Sequence, residues 1–201
     1  ATLEAAKNHP HMKAPLGKNQ GRGMACGFWF NFGGQTCVDI NVTPDGSVTV
    51  AVGTIDVGGS RASIGLMAAE ELGVPFDQVR VVIADTSSIG HNDMTDGSRG
   101  TFSTGMATIA AARNAIKVLC ERAAKMWDLP VDAVIWENGT AKPAGANAGN
   151  FPPLTMREIA EGAGNTGGPI AGHNEMVADG AGVSFATHIC DIEVDPETGA
   201  S

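Results

Sequence analysis

Apolar and polar positions alternate along "TCVDINVTPDGSVTVAV", where Val38, Ile40 and Val42 are answered by Val48, Val50 and Val52 across Pro44-Asp45-Gly46. A period of two predicts half-buried strands, and Pro-Asp-Gly supplies the turn of a hairpin. Just upstream, "GMACGFWFNF" reads as another strand. The period then lengthens, predicting a helix over about residues 62–72 that Gly73 and Pro75 bring to a stop. "QVRVVIADT", residues 78–86, reads as a short buried strand. A long helix is predicted from about residue 98 to 127. Ile109, Ile116, Leu119, Ala123 and Met126 form its inner stripe, and Arg113, Lys117, Arg122 and Lys125 its solvated face.

Beyond Pro130, "AVIWENGTAK" is a hairpin turning at Asn138-Gly139. A Gly/Ala/Pro/Asn-rich loop, 143–153, leads to a short helix opened by a capping box, Thr155 with Glu158. "GVSFATHICDIEV" is the final strand, with Phe185, Ile189 and Ile192 as its apolar markers. It runs into the turn "DPETGAS" with no returning strand, so an unpaired edge and self-association through it are expected. Residues 1–20 read as a polar lead-in, with His9 and His11 on a solvated terminus.

Composition narrows the partners. The 201 residues allow one or at most two domains, and 43% hydrophobic with 17% charged residues is a globular balance. A net charge of −9 argues against nucleic acid or an anionic membrane as the main partner. No apolar run reaches the roughly 18–20 residues of a membrane span, and no signal peptide is visible. Cys26, Cys37, Cys120 and Cys190 form no CxxC pair and no Cys/His ligand spacing, so they read as buried free thiols and no metal ligand is assigned. They suit a reducing compartment, and a cytoplasmic location is expected.

The unusual chemistry sits at two predicted helix starts. Gly59-Ser60-Arg61-Ala62-Ser63 and Gly97-Ser98-Arg99-Gly100-Thr101 share Gly-Ser-Arg-x-Ser/Thr, and no acidic residue occurs between Asp96 and Glu121. Helix starts ordinarily attract acids, because their first N–H groups lack partners and the dipole is positive there. Glycine permits close backbone approach, hydroxyls and N–H groups donate hydrogen bonds, and arginine adds charge-assisted contacts to phosphate. Gly58, Gly59, Ser60, Arg61, Gly97, Ser98, Arg99, Gly100, Thr101 and Thr104 are therefore the candidate anion-binding residues. The competing reading makes Ser60 and Ser98 plain N-caps, with the arginines paired to Asp56 and Asp96. Neither copy is a nucleotide-binding fingerprint: GxxxxGK[ST] is absent, and no GxGxxG follows a strand in a βαβ unit.

At these residues the sequence resembles the molybdenum-cofactor-binding large subunit of the xanthine dehydrogenase/aldehyde oxidase family. The resemblance runs through "PDGSVTVAVG", "DVGGSRASIGLMAAEELGVPFDQVRVVIADT", "TDGSRGTFSTGMATIAAA" and "ICDIEVDPETGA", and covers roughly residues 21–201. It implies an α+β fold, a mixed β-sheet with helices packed on it. It implies that these loops hold a molybdopterin or molybdopterin dinucleotide, whose molybdenum hydroxylates an aldehyde or N-heterocycle with oxygen from water. Electrons would leave through iron–sulfur and FAD domains or subunits, and the rest of the large subunit would be a further partner. Two departures stand out. Many members carry Gly-Gln-Gly where this chain has Gly58-Gly59-Ser60, and the family's glutamate base lies beyond the region matching "VDPETG". No catalytic residue is therefore assigned. Residues 21–201 are expected to be part of a molybdopterin-binding domain truncated at both ends, inactive and without cofactor by itself.

Two other readings compete. A non-enzymatic phosphate-ligand-binding or assembly module would use the same fold. A hydrolase is poorly served, because Ser98 and Ser103 have no evident histidine partner and His91, His173 and His188 fall in unrelated elements.

Overall fold

The computed structural model describes residues 1–83, 85, 87–180 and 182–201. In chain order the elements are α1 (Thr2–Asn8), α2 (Pro10–Lys13), β1 (Gln20–Phe30), β2 (Gly34–Val42), β3 (Val48–Val52), α3 (Ser60–Leu72), β4 (Val79–Ile83) and α4 (Arg99–Trp127). They continue as β5 (Val134–Glu137), β6 (Thr140–Pro143), β7 (Leu154–Thr155), α5 (Met156–Glu161), α6 (Ala163–Thr166), β8 (Ile170–Ala178) and β9 (Val183–Glu193). The chain divides into two units, residues 32–180 and residues 1–31 with 181–201. Two residues of the expected strand "QVRVVIADT", Ala84 and Thr86, lie outside the described residues.

The larger unit is built on a four-stranded sheet of order β4-β3-β2-β8. β2 and β3 form the expected hairpin, Val38 opposite Val52, Ile40 opposite Val50 and Val42 opposite Val48. Gly46 takes φ +84° in its turn. Asp45 accepts from the Thr43 hydroxyl and from the Ser47 backbone and hydroxyl, which holds its carboxyl down at about 2. β4 runs parallel to β3, a pairing that needs a crossover, and α3 supplies it. The valines and Ile40 are buried in one cluster with Ile64 and Leu72 of α3 and Leu119 of α4. A second sheet, β5-β6-β7, turns at Asn138-Gly139 as expected, with positive φ at both residues. The Thr155–Glu158 capping box also forms.

The long helix differs from its predicted face. Ile109 and Ile116 are half-buried and Met126 is 40% exposed. Leu119 and Ala123 of the expected stripe are fully buried, and toward the start of the helix the stripe continues in small residues, chiefly Ala107, Ala111, Ala112 and Ala115. The reason is close packing. Opposite Ala111 and Ala115 stands Gly172 of β8, where a Cβ would lie 2.5 Å from the Ala115 nitrogen and 2.8 Å from its Cβ. Nor is the basic stripe merely solvated. Arg113 pairs with Glu71 at 2.7 Å, and Arg122 donates to the carbonyls of Thr166 and Gly167 at the end of α6.

The smaller unit corrects several expectations. Residues 2–8 and 10–13 are helical, and Ala6 is buried rather than frayed. β9 has a partner, β1, paired antiparallel from Gln20 opposite Glu193 to Phe30 opposite Val183. As an outer strand of a two-stranded ribbon, β9 keeps its other edge without a strand partner among the described residues, as expected, although its one partner is β1 and not a strand that follows it. Arg22 clamps this pair, bonding Asp191 at 2.6 Å and the carbonyls of Met12 and Ala14. All four cysteines are free, but only Cys37 and Cys120 are buried, since Cys26 and Cys190 sit on this two-stranded ribbon. The ribbon also exposes Phe28, Trp29 and Phe185. Among the described residues, no helix is long and apolar enough to cross a membrane.

Candidate functional site

The two Gly-Ser-Arg segments meet. Ser60 at the start of α3 and Gly97, Ser98, Arg99, Gly100 and Thr101 at the start of α4 line one open hollow of about 510 Å³, together with Val57, Thr95 and Asp96. Each helix is entered through a left-handed residue, Gly59 at φ +84° and Ser98 at φ +61°. This bend turns the incoming loop away from the helix axis. At the start of α4 the Arg99 N–H is taken by the Asp96 carbonyl, while those of Gly100 and Thr101 have no acceptor inside the helix.

The arginines behave differently from the expectation. Arg99 is fully buried, and its guanidinium donates to the carbonyls of Gly33 (2.7 Å), Gln35 (2.6 Å) and Asp93 (2.8 Å). Burial pulls its pKa down, and the neighbouring Asp93 opposes that. Its partner is neither Asp96 nor an external anion, so the charge assigned to a ligand is spent inside the fold. Arg61 lies 3.5 Å from Asp56, as the plain-cap reading has it. Asp56 also accepts from the Arg61 N–H at 3.1 Å, so the α3 start is compensated by an acid four residues before it. Thr104 is fully buried, with an Oγ1 that has no hydrogen-bond partner, and it does not line the hollow. Gly58, Gly59 and Arg61 flank the hollow without lining it.

The hollow is lined by backbone N–H groups at a helix start, by the hydroxyl-bearing residues Ser60, Thr95, Ser98 and Thr101, and by one carboxylate, Asp96. The Ser60 hydroxyl already accepts from the Val57 N–H and donates to the Ile55 carbonyl, and the Thr95 hydroxyl shares a hydrogen bond with Thr54. Asp96 already accepts from the Gly97 N–H at 2.7 Å. These groups suit the phosphate or polar pterin end of a cofactor. None of them is a soft metal ligand. Thr95 was missed in the sequence, and Asp56 and Asp96 entered it only as partners of the arginines in the competing reading.

The sequence model of the family described as molybdopterin cofactor-binding domain matches residues 2–201. The carbon monoxide dehydrogenase large chain of Afipia carboxidovorans is 28% identical over 170 residues, 81% of this chain and 20% of that protein. The aldehyde oxidoreductase molybdenum-binding subunit PaoC of Escherichia coli is 40% identical over 68 residues, 33% of this chain and 9% of that protein. Among solved structures, quinoline 2-oxidoreductase from Pseudomonas putida 86 superimposes with a TM-score of 0.75 at 18% identity, over 90% of this chain and 25% of that one. This chain thus spans about a fifth of the first relative and a tenth of the second.

Proposed function

The chain belongs to the molybdopterin cofactor-binding domain family, and from that premise we propose that the hollow between the α3 and α4 starts receives the phosphate-bearing end of the pterin. The observation that carries this is that Ser60 of the first Gly-Ser-Arg segment and all three residues of the second line one hollow. Thr101 would donate its hydroxyl to it, Gly100 and Thr101 would donate their N–H groups, and Ser60 would form part of the wall. The absence of a side chain at Gly100 keeps that backbone accessible. When bound, the cofactor supplies the redox centre of the reaction. The role of this chain is to hold and orient it through neutral donors at a positive helix end.

The intact protein is, on this reading, a molybdenum hydroxylase oxidising an aldehyde or N-heterocycle in the cytoplasm, with iron–sulfur and FAD partners taking the electrons. The similarity to an aldehyde oxidoreductase molybdenum-binding subunit supports the substrate class, and four free thiols suit the compartment. The 201-residue chain by itself is expected to show no turnover. Oxidation of an aldehyde or purine by the purified chain with an artificial electron acceptor would overturn that part.

The binding role is tested by adding charge. Thr101→Asp places an acid in the first turn of α4, which an exposed helix start tolerates or welcomes by roughly 0.3–1 kcal/mol. In the full-length subunit, molybdenum content and released nucleotide are expected to fall at least several-fold while the melting temperature holds or rises. Unchanged occupancy would leave the hollow a plain pair of helix caps.

A further inference from the structure

The outer face of the four-stranded sheet carries a mixed donor cluster apart from the hollow. β2 and β8 pair Cys37 with Glu175 and Asp39 with His173, and residues opposite one another in an antiparallel pair share a face. The Cys37 Sγ, a His173 ring nitrogen and a Glu175 carboxylate oxygen all lie within 4.8 Å of one another. His173 Nδ1 stands 2.6 Å from Asp39 Oδ1, and its Nε2 stands 3.6 Å from Glu175 Oε1. A carboxylate only accepts. When Nδ1–H is given to Asp39, the neutral ring turns an Nε2 lone pair toward a second acceptor. A cation between them removes that conflict. One ring nitrogen on a carboxylate and the other directed at the ion is also how metal-binding histidines are held.

The surrounding loop is built around the thiol. Cys37 is 1% exposed, and a Cβ on Gly90 would come within 2.8 Å of its Sγ and 3.0 Å of Glu175 Oε1, so glycine alone fits there. Asn92 fastens the loop to β2. Its Oδ1 accepts from the Cys37 N–H and the Thr36 hydroxyl, and its Nδ2 donates to the Gly90 carbonyl. The Gln35 N–H donates to Asp93 at 2.6 Å. The sulfur is thus fixed and dry, while the His173 and Glu175 side chains reach solvent.

We propose that Cys37, His173 and Glu175 form a binding site for one divalent transition-metal ion, with Asp39 as the residue that positions His173. Sulfur, imidazole and carboxylate together select zinc over magnesium or calcium, and thiolate plus carboxylate balance its charge. Ligands of one zinc ion sit roughly 3–4 Å apart, so rotation of the exposed His173 and Glu175 side chains closes the set, with water as fourth ligand. Binding releases the thiol proton and ties β2 to β8. The site stands independently of the cofactor reading, since it shares no lining residue with the hollow.

Cobalt(II) is the probe. One equivalent added to the metal-free 201-residue chain is expected to give a thiolate-to-cobalt charge-transfer band that zinc abolishes. Cys37→Ser and His173→Gln should each lose the band, and because His173 is exposed, His173→Gln should keep the native circular dichroism. Asp39→Asn should weaken cobalt binding about 10–100-fold. Cys26→Ser, Cys190→Ser and the double change His9→Ala/His11→Ala should leave it intact. No band, or a band that survives His173→Gln and vanishes with Cys26→Ser or Cys190→Ser, overturns the site. A His173 that titrates by NMR as an imidazolium held between two carboxylates, with no metal uptake, overturns it as well.

Discussion

Arg99→Met is expected to cost about 3–5 kcal/mol of folding free energy, read as a fall in the urea midpoint at unchanged slope. The guanidinium is fully buried and donates to four carbonyls from two separate segments, Gly33 and Gln35 around the start of β2 and Asp93 and, more weakly at 3.4 Å, Met94 before α4. Each carbonyl stripped of its donor inside the protein costs roughly 1–3 kcal/mol. The Ser103 hydroxyl, 2.9 Å from the Gly33 carbonyl, and the Asp93 N–H, 3.0 Å from the Gln35 carbonyl, soften two of these losses. Arg99→Lys keeps the charge but has a single donor head in place of the planar fork, so it should recover only part of the loss. A destabilisation under about 1 kcal/mol for Arg99→Met would contradict the staple role. Loss of cofactor in that variant would follow from unfolding rather than from a missing ligand.

Gly172→Ala should be nearly as damaging, at about 3 kcal/mol. The added methyl would stand 2.5 Å from the Ala115 nitrogen and closer still to the Ala111 carbonyl. Both are backbone atoms of α4 and cannot rotate aside, so the helix must lift from β8. A matched control is Gly164→Ala in α6, where a Cβ meets nothing within 4 Å and helix propensity favours alanine by about 0.5–1 kcal/mol. Opposite signs for the two glycines in thermal melts are the expected outcome. Equal effects would show that the contact between α4 and β8 is looser than its geometry.

These two positions also show what could be read in the chain. The Pro44-Asp45-Gly46 and Asn138-Gly139 turns and the Thr155–Glu158 box were legible because their chemistry is local. The inner face of α4 was legible only in part. Leu119 and Ala123 were read correctly, but Ile109 and Met126 were taken as buried for their size, whereas where the helix lies directly on Gly172 the contact is made by Ala111 and Ala115. For the candidate site, the meeting of the two repeats followed from their shared pattern, but the destination of Arg99 depended on carbonyls more than sixty residues upstream. The cluster at Cys37 and His173 escaped for the same reason. Ligand spacing searches along the chain, whereas β2 and β8 bring together residues 134 apart.

The pairing of β1 with β9 sets a clock on synthesis. Phe30 meets Val183, so the innermost pair of the ribbon spans about 150 residues of intervening chain. A ribosome adding roughly 5–20 residues per second leaves β1 waiting on the order of ten seconds or more. Throughout that interval Phe28, Trp29 and Phe30 have no strand beside them, although the β2–β3 hairpin needs only a handful of further residues to close. Connectivity thereby orders the events: β2, β3 and β4 can pair while β1 still lacks its partner, whereas β8, which completes the larger sheet, and β9, which completes the ribbon, are made almost together.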